Sequence, residues 1–599
     1  MQKSHFCRKT NTNKNNLAKP YDYKKQSYQL MKTYFLILYF FCFQWNVFSQ
    51  NLNWTQSIGQ QNGSSKGLSI TTDTKGNIYT TGYFGDTPDF DYSSGTYTLT
   101  SKGQTDVFIT KHDSSGHLKW AKSVGGLHND EGHSITLDNS GNILITGIFN
   151  DTVDVDPNPL STYFLEGTWF NNVFILKLDS NGNFIWAKKI NYAVARSITS
   201  DKAKNIYLTG SFSFSTDFDL GTNIDTLRNL GNSDAFLLKL DSMGNNIWVK
   251  NIGASSASVD GNCVALDTSE NIYVTGNYDG TSDFNPGSST NLLHSAGSTD
   301  VFILKLDNNG NYIWSKKMGG TGMDRSSELI VDENKNIYTT GFFEYTVDFN
   351  PHIVGTYTLN ASYGLNTFVS KLDSSGNFLW AKNIGGTISN NTATGIARDD
   401  FNNLYITGSY MNTTDFDPGI DTFYVYMSSY NYHNYAYILK LDSIGNFINV
   451  RVFGNGCYNA FSEAVAVDIQ DNVLNTGSFY GTGDFDPSNS TQNLTSKGYS
   501  DIYVSKFKNE NYVGIYELGK TEQNIIYTYP NPNNGTFNVV SKEKMILTVF
   551  DNLGQIVQSI ELNEANDYHQ VIQIHTSGIY YIKGFTEQSS IKQKIIVTQ

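Results

Sequence analysis

The sequence is poor in charged residues and has very few cysteines. Charged residues make up 16% of the chain, whereas aromatic residues make up 14% and glycine occurs 52 times. Aromatic side chains favour strands and glycine favours tight turns, so this composition is typical of short strands and not of helices. We also find no sustained apolar pattern with the helical period. The sequence therefore predicts an all-β protein.

What is scarce or missing also excludes several kinds of site. Only Cys263 and Cys457 lie beyond a predicted leader, three copies apart in the repeat described below, so neither a disulfide nor a zinc site is expected. The formal net charge of −14 argues against nucleic acid or anionic lipid as a partner. The sequence contains no Gly-rich phosphate loop, His-Glu-x-x-His or Gly-x-Ser-x-Gly motif. We therefore expect a protein that is not an enzyme.

The N-terminal segment is interpreted as a leader. Residues 1–30 are polar and basic, and Met31-Lys32 precede an apolar run from Tyr34 to Phe43. This pattern is typical of a secretory signal that is cleaved near Ser49. The apolar run is too short for a transmembrane helix, so we expect none in the mature chain. Residues 1–49 are thus predicted to be a polar extension plus a signal peptide from Met31, with an uncleaved anchor as the alternative.

One sequence unit is repeated seven times between Trp54 and Phe507, with a period of about 66 residues. Four markers recur along it. The Thr-Gly strand end occurs at Gly82, Gly147, Gly210, Gly276, Gly341, Gly408 and Gly477. An Asp-x-Asp or Asp-x-Asn pair follows it at Asp89, Asp154, Asp217, Asp283, Asp348, Asp415 and Asp484. An apolar strand is centred on Phe108, Phe174, Phe236, Phe302, Phe368, Tyr437 and Tyr503. A Trp segment occurs at Trp54, Trp120, Trp186, Trp248, Trp314 and Trp380, with a degenerate copy at 447–451.

The repeat is cut in the middle of a unit. Trp54 has no strands of its own unit before it, and no Trp segment follows Phe507. If residues 51–58 supply the fourth strand to the unit at 461–507, every unit is complete and the array closes into a ring without an exposed edge. The alternative is an open solenoid of seven units.

The repeat resembles a known family. The strings Asp332-x-x-x-Asn336-Ile-Tyr-x-Thr-Gly341 and Asp300-Val-Phe-Ile-Leu-Lys-Leu-Asp307 are similar to the bacterial seven-bladed β-propeller repeat. The resemblance implies a fold of four-stranded blades around a central axis and no single activity. We therefore predict a leader at 1–49, a seven-bladed β-propeller with three-plus-one closure at 50–508, a linker at 509–521 and a small β-sandwich at 522–599.

The C-terminal module resembles the sorting domain of the type IX secretion system. The matching positions are Pro530, Asn531, Pro532, Gly535, Phe537, Gly554, Gly578 and Tyr580, followed by a Lys-Ile-Ile-Val tail. The resemblance implies export by the leader and then passage across the outer membrane through the type IX machinery. It also implies a secreted or outer cell-surface location.

Three groups of residues are candidates for ligand contact. Acidic pairs two residues apart could supply part of a calcium shell, although a repeated Asx turn is the preferred interpretation. The calcium candidates are Asp89, Asp91, Asp217, Asp219, Asp415, Asp417, Asp484 and Asp486. The Trp row is interpreted as packing between units, with sugar stacking as the alternative. A Tyr-rich stretch that breaks the repeat offers Tyr426, Tyr430 and Tyr432 as ligand contacts.

These observations predict a secreted or cell-surface propeller scaffold that binds a glycan or a protein without catalysis and that is a monomer. The alternatives are a hydrolase or lyase acting on extracellular polysaccharide and a purely structural surface protein. Binding predicts that aromatic residues specific to single units gather on one face. An enzyme predicts several carboxylates or histidines pointing into a central pocket, and a structural role predicts neither.

Overall fold

Antiparallel strands make up almost all of the regular structure of this chain. The structure is a computed structural model. It describes residues 52–508, apart from 62, 94, 222–224, 254–256, 353–354, 387–388, 427–432 and 489, and residues 526–597, apart from 530–534, 542–543, 552–555, 567 and 586–589. Two compact units result, residues 1–511 and 512–599. The predicted leader and linker lie outside the described residues, so their boundaries stay predictions. Within the described part, no helix has the length and hydrophobicity needed to cross a bilayer.

The strands of the first unit form seven consecutive sets of four, which we call blades 1 to 7. Blade 1 contains Lys66–Thr72, Ile78–Phe84, Asp106–His112 and Leu118–Gly126; blade 2 contains Glu131–Leu137, Ile143–Phe149, Asn172–Leu178 and Phe184–Asn191. Blade 3 contains Ala193–Ser200, Ile206–Phe212, Asp234–Leu240 and Asn246–Ile252; blade 4 contains Val259–Leu266, Ile272–Tyr278, Asp300–Leu306 and Tyr312–Gly320. Blade 5 contains Arg325–Val331, Ile337–Asp348, Thr358–Leu372 and Phe378–Ile384; blade 6 contains Thr392–Arg398, Leu404–Tyr410, Tyr435–Leu441 and Phe447–Phe453. Blade 7 contains Asn455–Val467, Val473–Asp484, Asp501–Phe507 and Leu52–Ile58.

Short strands extend the loop between the second and third strands of several blades. They are Thr152–Asp154 with Phe164–Glu166, Thr216–Asp217 with Thr226–Leu227, Thr281–Asp283 with Leu292–His294, Thr414–Asp415 with Tyr424–Val425, Asn493–Thr495, and Ser389–Asn390 before blade 6. The paired ones form small hairpins, and the first strand of each ends at the first Asp of the Asp-x-Asp or Asp-x-Asn motif.

The two ends of the repeat region are joined as the cut in the sequence predicted. Leu52–Ile58 pairs antiparallel with Asp501–Phe507, with Leu52 opposite Phe507 and Ile58 opposite Ile502. The first strand of each blade contacts the first strand of the next, and Asn455–Val467 of blade 7 contacts Lys66–Thr72 of blade 1. The array is therefore a closed ring around an axis lined by the first strands. The predicted all-β propeller fold is confirmed, and the open solenoid is wrong.

The two middle strands of a blade are buried on both faces. Ile206–Phe212 and Asp234–Leu240 are buried throughout, whereas most residues of the outer strand Asn246–Ile252 are half-buried. Neighbouring blades cover both faces of each sheet, so apolar side chains face both ways in these strands. At the closure, Leu474 and Ile502 of blade 7 share one hydrophobic core with Ile70 and Phe108 of blade 1. The ring is thus sealed by the same packing that joins its other blades.

The glycine of the Thr-Gly marker is required by a close backbone approach. A Cβ on Gly210 would lie 1.9 Å from the carbonyl oxygen of Val194 in the first strand. The pairing register shifts beside it, between Ala195 and Ser197, so that Arg196 is left unpaired as a β-bulge. The same close approach and the same bulge recur in every blade. Every unit therefore carries this glycine.

The C-terminal module is a sandwich of two sheets. One sheet contains Ile526–Tyr529, Thr536–Ser541 and His569–Gln573, and the other contains Ile556–Leu562, Met545–Phe550, Gly578–Phe585 and Ser590–Val597. A short 3-10 turn spans Glu564–Asn566. Phe537, Leu547, Ile572 and Tyr580 belong to its buried core. The predicted β-sandwich is confirmed.

Candidate functional site

The blades present two chemically different faces. Because the strands are antiparallel, the ends of the second and fourth strands and the starts of the first and third lie at one edge of a blade, as Phe149, Asn172 and Asn191 do. We call this edge of the ring the connector face, since the links between blades run there. The opposite edge carries the tight turns and is called the turn face.

The turn face is built from one repeated hydrogen-bond pattern. Asp201 Oδ1 accepts the backbone N–H of Asn205 at 2.8 Å, Asn205 Nδ2 donates to Oδ2 at 2.7 Å, and the Tyr207 hydroxyl donates to Oδ2 at 3.1 Å. Burial and the neighbouring Asp201 carboxylate raise the pKa of Tyr207 well above its ordinary value. The Asp–Asn pattern recurs in all the blades, at Asp73, Asp138, Asp267, Asp332, Asp399 and Asp468. These aspartates hold turns and are not free for ligands.

A lysine of each third strand lies near the same aspartate, and its contacts depend on the residue in the second strand. Where the second strand carries Tyr, as at Tyr207, the lysine lies over the ring, with Lys239 Nζ 5.0 Å from its centroid. Where Leu replaces Tyr, the lysine bonds the aspartate directly, as in Lys177–Asp138 at 2.9 Å and Lys506–Asp468 at 2.8 Å. Either way, the aspartate gains one additional polar or charged neighbour.

The tryptophans pack between blades, as the sequence suggested. A Cβ on Gly310 would lie 3.2 Å from Trp248 of the preceding blade, and Gly310 has a φ of +79°. Trp186 Nε1 also donates to the carbonyl of Ser242 in the next blade at 3.3 Å. The indole thus lies on the turn of the following blade. Sugar stacking on the Trp row is not favoured by this geometry.

The acidic pairs form Asx turns. Asp217 Oδ1 accepts the N–H groups of Asp219 at 3.0 Å and Asp225 at 2.9 Å, and Asp219 Oδ1 accepts the N–H of Gly221 at 2.7 Å. The other calcium candidates hold their loops in the same way, namely Asp89, Asp91, Asp415, Asp417, Asp484 and Asp486. Among the described residues, no group of three or more His, Cys, Asp or Glu is arranged to hold a metal ion. The geometry favours the turn interpretation, and calcium binding stays a prediction.

The connector face carries exposed aromatic rings that the units do not share. Phe170 is 61% exposed and Phe214 is 51% exposed, and their ring centroids are 5.9 Å apart. Tyr192 joins them, at 6.1 Å from Phe170 and 5.4 Å from Phe214. Trp169, 76% exposed, lies 5.2 Å from His128. These rings come from the loop before the third strand, the link between blades 2 and 3, and the end of a second strand.

A second group lies at the boundary of blades 6 and 7. Tyr458 stacks on Tyr480 at 5.1 Å and lies 5.8 Å from His433. Tyr458 and Tyr480 are exposed. His433 and Phe170 each stand two positions before the third-strand residue that pairs with the end of the second strand, as Asn172 pairs with Phe149. The other blades carry Gln104, Asn232, Ser298, Gly364 and the exposed Tyr499 at this position. The aromatic groups therefore occupy corresponding loops at two separate boundaries.

Of the tyrosines predicted as ligand contacts, Tyr426 is described. It is 73% exposed and lies 6.0 Å from the ring of Tyr424, at the end of the outer hairpin of blade 6. Tyr430 and Tyr432 lie outside the described residues. The three positions stay predictions as ligand contacts. The clusters around Phe214 and Tyr458 were not predicted, although aligning the copies would have shown Tyr192, Tyr458 and Tyr480 where the other copies carry no Phe, Tyr or Trp. Phe170 and Phe214 have aromatic counterparts in Tyr499 and Tyr345.

Buried carboxylates lie beneath the connector face. Asp130 and Asp106 are fully buried. Burial raises the pKa of Asp130 to about 8, with a further contribution from the Asp106 carboxylate, and burial raises the pKa of Asp106 to about 6. Asp130 Oδ2 accepts the N–H of Gly126 at 2.6 Å and so holds the link between blades 1 and 2. Asp324 repeats this arrangement between blades 4 and 5.

The axis of the ring carries a second set of residues specific to single units. The bulge position of each first strand is Leu68, His133, Arg196, Asn262, Ser327, Thr394 or Glu463. Several of these side chains donate to a carbonyl of the next blade, as His133 Nδ1 does to Ala195 at 2.9 Å and Asn262 Nδ2 does to Ser326 at 2.6 Å. Sequence reasoning missed this position because a bulge cannot be read from strand alternation. The bulge position can be found by aligning the seven copies. It is the residue directly after the one that pairs with the Thr-Gly glycine, and it differs in every copy.

Charged pairs also lie at the axis. His133 Nε2 is 3.2 Å from Glu131, and Lys66 of blade 1 is 2.7 Å from Glu463 of blade 7. Each member of these pairs therefore has a charged or polar partner within the protein.

The sorting-motif residues that are described lie in the sandwich. Phe537 and Tyr580 are buried in its core. Gly535, with a φ of +98°, precedes Thr536–Ser541, and its carbonyl accepts the N–H of Ile574 at 2.7 Å. Gly578 begins the strand that contains Tyr580. Pro530, Asn531, Pro532 and Gly554 lie outside the described residues. As individual recognition residues, all eight stay predictions.

Two family models match parts of the chain. Residues 527–598 match the secretion system C-terminal sorting domain. Residues 247–285, which run from the fourth strand of blade 3 into blade 4, match the β-propeller repeat. Both resemblances predicted from the sequence are confirmed.

Whole-chain comparisons give more distant similarities. A WD repeat-containing protein of Acanthamoeba polyphaga mimivirus, L264, is 27% identical over 71% of this chain and 36% of its own length. The regulatory protein FlaEY of Caulobacter vibrioides is 25% identical over 31% of this chain and 18% of its own length. The chain thus spans about a third or less of the relatives it matches.

Solved structures are similar only at low sequence identity. The extracellular domain of a hybrid two-component system from B. thetaiotaomicron is 12% identical, covering 89% of this chain and 80% of its own, with a TM-score of 0.18. Fold and localisation therefore rest on the strand pairing and on the two family models. The chain combines β-propeller repeats with a type IX secretion C-terminal sorting domain and is a secreted, cell-surface protein.

Proposed function

We propose that the propeller is a non-catalytic scaffold that binds a glycan or a protein at the cell surface through its connector face. The observation that carries this proposal is the gathering of exposed aromatic rings on that face, at positions where most blades carry no aromatic residue. Exposed aromatic clusters are uncommon on surfaces that contact only water, and they mark interaction sites. The machinery of type IX secretion is the partner implied by the C-terminal module.

The turn face and the axis support the same assignment. Many of their charged groups are engaged in turns, in hydrogen bonds between blades, or in pairs such as Lys66–Glu463. Groups committed in this way serve the ring. The connector-face rings have no comparable packing role, because Phe214 and Tyr458 lie more than half exposed.

A quadruple substitution tests the proposal. The purified chain is screened on arrays of glycans and of extracellular proteins, together with a variant carrying Phe170→Ala, Phe214→Ala, Tyr458→Ala and Tyr480→Ala. Binding that is lost in this variant supports the connector face. The control carries Met243→Ala and Ile444→Ala, two exposed apolar residues on the turn face, and it keeps its binding. The proposal is wrong if the wild-type chain binds nothing on either array, or if the quadruple variant binds unchanged.

A polysaccharide hydrolase or lyase is the second candidate, favoured by the Glu131–His133 pair at the axis. It predicts release of reducing or unsaturated ends from one member of a polysaccharide panel, abolished by Glu131→Gln. Such turnover would overturn the non-catalytic proposal.

A further inference from the structure

The boundary between blades 2 and 3 lacks a feature that most boundaries share. Elsewhere, a glycine at the end of one blade's fourth strand pairs with the first aspartate of the next blade's acidic pair. The pairs are Gly125–Asp154, Gly253–Asp283, Gly319–Asp348, Gly385–Asp415 and Gly454–Asp484. Blade 2 has Asn191 in place of the glycine, and no backbone pairing among the described strands joins it to Asp217. The closing boundary lacks the pairing as well but keeps Gly59.

The link between these two blades is also the shortest in the ring when aligned positions are compared. Three residues lie between Asn191 and Ala195, the residue opposite Gly210, whereas six or seven lie between the corresponding residues at the other boundaries. Only Tyr192 separates Phe184–Asn191 from Ala193–Ser200, whereas residues 127–130 separate the corresponding strands of blades 1 and 2. Tyr192 has a φ of 58°, a conformation that is uncommon for an aromatic residue. Its backbone is held there by the strands on either side. The ring of Tyr192 thereby reaches the exposed rings of Phe170 and Phe214.

A cavity of about 510 Å³ opens where the pairing is lost. We call it the blade 2/3 pocket, and it lies between the outer strand of blade 2 and the loop 215–221 of blade 3. It is lined by Tyr163, Asn191, Tyr192, Ser215, Asp217 and Asp219, with Lys188 and Lys189 beside them. Its volume is within the range of pockets that hold small ligands. The aromatic group of the connector face thus continues into a polar cavity.

The charges in this pocket balance. Lys188 Nζ donates to the carbonyl of Leu220 at 3.1 Å, and Lys189 Nζ donates to the carbonyl of Glu166. The residues that line the pocket thus include two lysines and two aspartates, Asp217 and Asp219. A pocket with no net charge gives a strongly anionic or cationic ligand no electrostatic advantage.

The carboxylates of Asp217 and Asp219 can accept further hydrogen bonds from a ligand. The Oδ1 atoms of Asp217 and Asp219 hold backbone N–H groups of their loop, but their Oδ2 atoms have no hydrogen-bond partner among the described residues. Asn191 Oδ1 is buried and also lacks a partner. These acceptors can take hydroxyl protons, and a hydroxyl bonded to a carboxylate is a strong, charge-assisted contact.

From this we infer that the blade 2/3 pocket binds a neutral oligosaccharide. A pyranose has an apolar C–H face and a rim of hydroxyls, which match the rings of Tyr192, Phe170 and Phe214 and the acceptors of Asp217 and Asp219. A peptide also carries N–H groups that can donate to these oxygens, so extracellular proteins form a separate arm of the test below. This inference rests on the proposed binding function and names its ligand class.

Two substitutions in the full chain test it. The probes are immobilised hexasaccharides of glucose, mannose, xylose and N-acetylglucosamine, with polygalacturonate and heparin as anionic comparisons and a panel of extracellular proteins. Phe214→Ala removes an exposed ring, and Asp219→Asn removes one charge. The second change preserves the turn, because blades 4 and 5 carry Asn285 and Asn350 at this position. The matched controls are Met243→Ala and Asp417→Asn, the latter at the same position of blade 6.

The expected result is binding of at least one neutral hexasaccharide. Phe214→Ala then raises its Kd about tenfold and Asp219→Asn about threefold, with both controls unchanged. Neutral-glycan binding that neither variant weakens overturns the pocket but leaves the proposed function standing. Binding only to anionic glycans, or only to proteins, overturns the ligand class in the same limited way. A chain that binds no probe overturns both proposals.

Discussion

Replacing Lys506 by methionine tests the buried ion pair at the closure of the ring. Lys506 Nζ lies 2.8 Å from the Asp468 carboxylate and donates at 3.0 Å to the carbonyl of Ser114 in blade 1. The two side chains are 2% and 1% exposed. Methionine keeps most of the apolar stem but leaves the carboxylate of Asp468 buried without its cation. Breaking a buried pair from one side costs about 3–5 kcal/mol of unfolding free energy.

Lys371→Met is the matched control, because this lysine occupies the same position beside a tyrosine. Its Nζ donates to the carbonyl of Ser443 at 3.1 Å and lies 4.7 Å from the ring centroid of Tyr338. The aspartate there, Asp332, still accepts the hydroxyl of Tyr338 at 3.2 Å. Losing one hydrogen bond from a charged donor costs about 1.5–3 kcal/mol, less than the orphaned carboxylate.

Urea denaturation followed by tryptophan fluorescence measures both variants. Lys506→Met should have the lower midpoint, and adding Asp468→Asn should recover part of its loss, because the amide carries no uncompensated charge. The reasoning is refuted if Lys506→Met costs no more than Lys371→Met, or if the second change recovers nothing.

The remaining predictions concern the turns, pH and calcium. Gly310→Ala should lower the melting temperature more than Gly141→Ala, because both have positive φ but only Gly310 lies against Trp248; equal losses would contradict the packing role. Asp130, whose pKa is raised to about 8, contributes stability that is complete below its unfolded pKa of about 4 and is lost as pH rises through 8. Asp130→Asn should therefore reduce the fall in melting temperature between pH 6 and pH 9, and an unchanged fall would argue against it. Millimolar calcium should leave the melting temperature unchanged, and a rise would establish a calcium site by mass action.

The ring could be predicted from the sequence because its determinants repeat. The Trp segment, the Thr-Gly glycine and the turn aspartates each occupy one place in every blade, and the structure gives each a contact that all blades need. The cut before Trp54 predicted the pairing of Leu52–Ile58 with Asp501–Phe507 for the same reason. In a periodic sequence, each long-range contact is indicated by the same residues in several copies.

The candidate site could not be predicted in the same way. Tyr192 lies in the link between blades 2 and 3, and Phe214 follows the second strand of blade 3, yet their rings meet beside the pocket. The sequence drew attention instead to Tyr426, in a stretch dense in tyrosine. Density along the chain says little about proximity in a propeller, where residues about one period apart become neighbours.

Residues that differ between copies of the repeat can reflect either the closure of the ring or a function. Only the differences that closure does not explain indicate a function. Blade 6 carries Asn449 where other blades carry Trp, and Arg451 where most carry Lys. The closure explains both, because blade 7 takes its fourth strand from the N-terminus and so has no turn there for an indole to lie on. Arg451 instead donates to the carbonyl of Lys508 at 3.0 Å, where the repeat ends.

No such geometric necessity applies between blades 2 and 3, which are complete and internal to the array. There, Asn191 replaces a glycine, and Trp169 stands where blade 1 has Gly103. These changes expose large rings to water and remove a backbone pairing, and neither effect stabilises the ring. Residues that differ from the other copies and weaken the ring without a structural reason are expected at binding sites, where a ligand supplies the compensating contacts. That reasoning assigns Asn449 and Arg451 of blade 6 to closure and leaves the blade 2/3 boundary as the place where the proposed ligand binding is the remaining explanation.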